Sequence, residues 1–96
     1  MFNPLSPIPD QVLLHRMASR DATALIELQR RHSTSIYALV YGIMMDADLA
    51  NRVVTEVFEQ VWQAAALLSQ QRRGASTWLR QLATERARAH RAAESR

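Results

Sequence analysis

The side chains able to do chemistry are few and scattered. His15, His32 and His90 stand alone, with no HExxH motif and no pair at i,i+4 such as a helical metal site needs. There is no cysteine, which removes disulfide frameworks and thiolate metal sites together. Gly42 and Gly74 are the only glycines and lie far apart, so no glycine-rich loop exists to cradle a phosphate. Glu56 and Glu59 fall on one helix face, a spacing common on solvated helices, and no Ser/His/Asp set is suggested. The residues therefore predict a protein that is not an enzyme and needs no metal or cofactor. His32 is expected as a buried or interfacial helix residue, and His15 and His90 as solvent-facing ones.

Charge carries more information. All twelve basic residues are arginine, whose planar fork grips phosphate and carboxylate in a way lysine cannot. Richness in arginine and alanine is also what a GC-rich genome produces. From Arg72 to Arg96 there are seven arginines against Glu85 and Glu94. From Asp46 to Glu59 four acids face Arg52 alone. A separation of this kind suggests two partners, or two faces of one large partner. The plain alternative for the basic segment is a solvated polar helix face.

The elements that must position these groups read as helices. The 96 residues fit one domain. Residues 1–9 carry Pro4, Pro7 and Pro9 and predict an extended, mobile arm before a single helical domain over 10–96. Asp10 is a candidate N-cap for a first helix over about Gln11–Ser19 that buries Leu13, Leu14 and Met17. Asp21 repeats the signal. Behind it Leu25, Leu28, His32, Ile36, Leu39, Val40 and Ile43 recur at spacings of three and four, the mark of a helix reaching about Met44. Ser33, Thr34, Ser35 and Gly42 weaken it locally. Asp46 and Asp48 open a third helix with a buried stripe of Leu49, Val53, Val54, Val57, Phe58, Val61, Trp62 and Ala65. Ser69–Gly74 reads as a loop, and Ser76 is the expected cap of a fourth helix through Trp78, Leu79, Leu82, Ala83 and Ala87. The expected fold is all-α, a compact bundle of about four helices, with the second and third as the long central pair. No apolar stretch approaches the roughly 20 residues that span a bilayer, and no signal peptide is evident, so a cytoplasmic protein is expected.

The order of features resembles a known family. D-A-T-A-L-I-E-L-Q-R-R-H-x-x-x-I-Y-A-L-V (Asp21–Val40) is followed by D-A-D-L-A-N-R-V-V-T-E-V-F-E-Q-V-W (Asp46–Trp62). A polar loop then leads to R-G-A-S-T-W-L-R-Q-L-A (Arg73–Ala83). This is similar to region 2 of the sigma-70 family, in particular its extracytoplasmic-function (ECF) group, over about Asp10 to Arg91. The resemblance implies a domain that binds core RNA polymerase, through the clamp helices of the β′ subunit, and the single-stranded −10 element of promoter DNA. It places Arg52, Thr55, Glu56 and Glu59 of the third helix on the polymerase. It places Gln70, Gln71, Arg72, Arg73, Arg80, Arg88 and Arg91, in the loop and last helix, on DNA.

Four positions depart from the family text. Arg52 stands where Asp is usual, Thr55 where Gln is, Glu85 where Asn is and Ala89 where Asp is. The clamp helices are arginine-bearing in the family, and like charges at an interface can cost several kcal/mol. Either the partner compensates, or docking is weakened or absent. Nothing after Arg91 resembles the family's second helical domain, which suits a piece of a longer protein, a truncated one or a stand-alone module. An alternative function follows: a sigma-like protein–protein module that binds an anti-sigma factor without initiating transcription.

Overall fold

A computed structural model describes residues 8–94, so most of the expected arm, residues 1–7, lies outside the described residues. Five helices follow one another among the described residues: α1 (Asp10–Ala18), α2 (Ala22–Met44), α3 (Ala47–Gln63), α4 (Ala65–Leu68) and α5 (Ala75–Glu94). No strand occurs among the described residues. The all-α expectation holds, with one short helix more than the sequence reading counted.

Two of the three expected acidic caps form. Asp21 accepts from the Thr23 amide, and Asp46 accepts from the Leu49 amide. Such caps satisfy amides that have no carbonyl one turn earlier. Asp10 is not a cap. Pro9, in an extended conformation, precedes the helix, and Asp10 is the first helical residue. Its carboxylate instead reaches α2, with Oδ1 3.0 Å from Arg31 Nη1 and Oδ2 2.8 Å from His32 Nε2. Ser76 is likewise no cap, because α5 already starts at Ala75 and the Thr77 amide donates to the Gly74 carbonyl. The Ser33–Ser35 run does not break α2. Ser33 turns its hydroxyl back onto the Gln29 carbonyl and leaves the helix continuous.

The break expected at Ser69 comes earlier, at Ala64. The Trp62 carbonyl accepts from the Arg20 guanidinium at 3.3 Å, and the same guanidinium sits 5.1 Å from the centre of the Trp62 ring. A side chain from the α1–α2 corner thus serves a carbonyl at the end of α3. The chain turns there, Ala65 is buried, and α4 packs against α1.

The core joins Leu13, Leu14 and Met17 of α1, Leu28 and Val40 of α2, Val53, Val57 and Val61 of α3, and Leu79 of α5. Each such side chain contributes about 1.5–3 kcal/mol by leaving water. Leu49, Val54 and Trp62, expected as buried, are half-buried at the rim, while Ala50 is fully buried. The central pair also differs from expectation. α2 (23 residues) packs about equally on α3 and on α5, and α5, with 20 residues, is longer than α3, with 17. α2 is the shared spine, which leaves the far sides of α3 and α5 open.

Candidate functional site

Helix α3 owes its two faces to its sequence. Val53, Val57 and Val61 recur at intervals of four and take the core side, so Arg52, Thr55 and Glu59 are carried outward and are exposed. Thr55 folds its hydroxyl onto the Asn51 carbonyl at 3.0 Å. Glu56 is separated from the other three. It lies at the edge of the face, half-buried, and turns to α5: its Oε1 is 2.8 Å from His90 Nε2 and accepts from Arg86 Nη1 at 3.4 Å. Gln60, one turn on, accepts from the same guanidinium at 2.8 and 3.1 Å. The His90 hydrogen bond, and then the charges of His90 and Arg86, hold the Glu56 carboxyl below its ordinary value against the cost of partial burial. Glu56, Glu59, Gln60, Gln63 and Arg86 line an open cleft of about 530 Å³ beside this network.

Sequence reasoning missed Arg86 and His90 as a working pair and expected His90 in solvent. The signal was there. Glu56 and Gln60 are four apart on one helix, Arg86 and His90 four apart on another, so each pair makes a patch that can face the other. What hid it was that the two patches are 26–34 residues apart in sequence.

The basic residues divide as well. Gln70, Gln71, Arg72 and Arg73 lie exposed in the turn before α5. Arg73 is tied down, donating to Gln81 Oε1 at 2.6 Å, and Gln81 donates in turn to Glu85 at 3.2 Å. The acid at position 85 is thereby linked to an arginine through an amide. Arg80, Arg88 and Arg91 are all exposed and share one side of α5, falling within an arc of about 80° at 100° per residue. Arg91 also donates to the Ile43 carbonyl at the end of α2, at 3.1 Å. Trp78 is buried, and its indole Nε1 finds no hydrogen-bond partner among the described residues.

A second network joins α1 to α2. Arg31 bridges Asp10 and Glu27 and also donates to the Ile8 carbonyl, while Glu27 pairs with Arg30. Arg30 first, then Arg31, pull the Glu27 carboxyl from an ordinary 4.5 down to about 2. His32 is half-buried against Asp10, an interfacial residue as expected, and His15 is exposed. Among the described residues no three His, Asp or Glu side chains gather as a metal would require, and no helix is long and apolar enough to cross a membrane.

Over 76 residues the chain is 29% identical to the ECF RNA polymerase sigma factor SigK of Mycobacterium sp. (strain KMS). It is equally similar to the SigK of strain JLS and to the RNA polymerase sigma factor SigK of strain MCS. The match takes in 79% of this chain but 39% of each relative, so the chain corresponds to well under half the length of those proteins. No family model and no solved structure matches. The relationship to ECF sigma factors is therefore distant.

Proposed function

We propose that this chain is a sigma-like transcription module that docks on core RNA polymerase through α3 and engages single-stranded −10 promoter DNA through α5 and the turn before it. The observation that carries the reading is the similarity to ECF RNA polymerase sigma factors over most of the chain. The charge layout agrees with it: α3 offers Glu59 and the rim of the Glu56 carboxyl, whereas α5 offers Arg80, Arg88 and Arg91. Arg52 stands exposed on the docking face and works against an arginine-bearing partner.

The test is a titration against a β′ clamp-helix fragment, with Glu59→Arg as control. Saturable binding that the control abolishes supports docking through α3, and Arg52→Asp should tighten it. Binding to a promoter strand should follow a log–log salt slope of about −3 if some four phosphates are neutralised. A slope near zero removes the DNA half. No binding to the fragment, with binding to an anti-sigma factor retained, turns the assignment to the non-initiating protein–protein module.

A further inference from the structure

Gly42 has no structural reason to be glycine. It lies inside α2, where glycine is the poorest helix former after proline. No glycine among the described residues has a positive φ, so the backbone does not call for it. A β-carbon at this position would meet nothing within 4 Å, so packing does not call for it either. What a side chain there would fill is a solvent-open cleft of about 490 Å³ between the end of α2 and the last turns of α5, lined by Gly42, Ile43, Arg88, Arg91 and Ala92.

The two arginines have different tasks in this cleft. Arg91 donates to the Ile43 carbonyl, which fastens α5 to α2 and covers a carbonyl at the negative end of the α2 dipole. The helix dipole opposes an anion at that end, and the two guanidinium groups supply the offsetting charge. Arg88, one turn earlier, is exposed and makes no hydrogen bond or ion pair among the described residues. We infer that this cleft seats a phosphate group, with Gly42 as its open floor, Arg88 as the ligand and Arg91 as the positioning residue. Resting on the reading above, the phosphate is one of the nucleic-acid strand, and α2 becomes part of the strand's path.

The experiment measures binding of a labelled oligothymidine strand across a salt series, for the wild type, Arg88→Gln, Gly42→Gln and the double variant. A charge-assisted phosphate contact predicts a loss of roughly tenfold at low salt for either single variant. Each should lower the salt slope by about 0.7, the share of one phosphate on a single strand. The double variant should bind no worse than the weaker single one, because both act on one seat. Gly42→Gln should melt at or above the wild-type temperature, since glutamine is the better helix former, which separates blocking from unfolding. If Gly42→Gln leaves affinity and slope unchanged, the cleft is not the seat. If the wild type binds no strand at all, the nucleic-acid reading fails, and inorganic phosphate then tests the cleft alone. Amide shifts at Ile43 and Arg88 that Gly42→Gln abolishes uphold a phosphate seat without nucleic acid, and their absence overturns it.

Discussion

Two ion-paired joints between helices are built differently. The α1–α2 joint sets two carboxylates, Asp10 and Glu27, against Arg30, Arg31 and His32. It closes on itself between helices that are neighbours in the chain, and none of its members is a candidate for partner binding. The α3–α5 joint has one carboxylate, Glu56, shared by Arg86 and His90 with Gln60 in support. That carboxylate is also the acidic position the family resemblance assigns to the polymerase. The contrast teaches that a residue of the right type on the right helix is not thereby free for a partner. A cation approaching Glu56 must compete with the Arg86 guanidinium and the His90 ring of the chain itself, so the proposed docking on α3 and the placement of α5 draw on the same carboxylate.

The largest expected effect lies beneath the joints. Leu14 of α1 and Leu79 of α5 are both fully buried, and truncating either to alanine should cost about 2–5 kcal/mol in chemical denaturation. If the two joints are independent, Leu79→Ala raises amide exchange in the second half of α5 while residues 10–32 stay protected. Equal exposure of both regions would mean that the joints open together.

A smaller effect belongs to the joint itself. The side chains of Glu56, Arg86 and His90 are 28–40% exposed, which limits their electrostatic worth. A double-mutant cycle of Glu56→Gln with Arg86→Gln should show coupling of about 0.5–1.5 kcal/mol. A coupling of zero would make the joint incidental to stability and leave Glu56 fully available to a partner.

Acid acts on both joints through their glutamates. Glu27 and Glu56 both have lowered folded-state pKa values. Their contributions are complete above the ordinary 4.5 and are lost as pH falls through the lowered values, for Glu27 about 2. Thermal melts should therefore fall over this window. Glu27→Gln and Glu56→Gln should each flatten the fall, and a variant that melts with the wild-type pH profile would show that its carboxylate is not stabilised by its joint.

The smallest change touches neither joint and serves as the control. Met45 ends α2 at φ 55, in the left-handed region that disfavours side chains, and is 71% exposed. Met45→Gly should stabilise the chain by roughly 0.5–1 kcal/mol, as read by the melting temperature, with both joints unchanged. A loss of stability would mean that the Met45 side chain contributes more than its strained backbone costs.

Much of this molecule can be read from residue order. The threefold and fourfold spacing of apolar residues along 21–44 and 46–63 dictates helices with one buried face, because a helix places i, i+3 and i+4 together whatever surrounds it. Asp21 and Asp46 cap because a carboxylate there can reach a free amide within its own turn. By the same local logic α3 carries Arg52, Thr55 and Glu59 outward, and α5 groups Arg80, Arg88 and Arg91. What residue order does not contain is which patches meet. Asp10 leaves its cap position because Arg31 and His32 stand across from it, and α3 stops at Ala64 because Arg20 takes the Trp62 carbonyl. Glu56 turns to α5 because Arg86 and His90 arrive there. Each of these outcomes is a competition between a local partner and a distant one for the same polar group, and only the packing of the helices sets the distances that decide it.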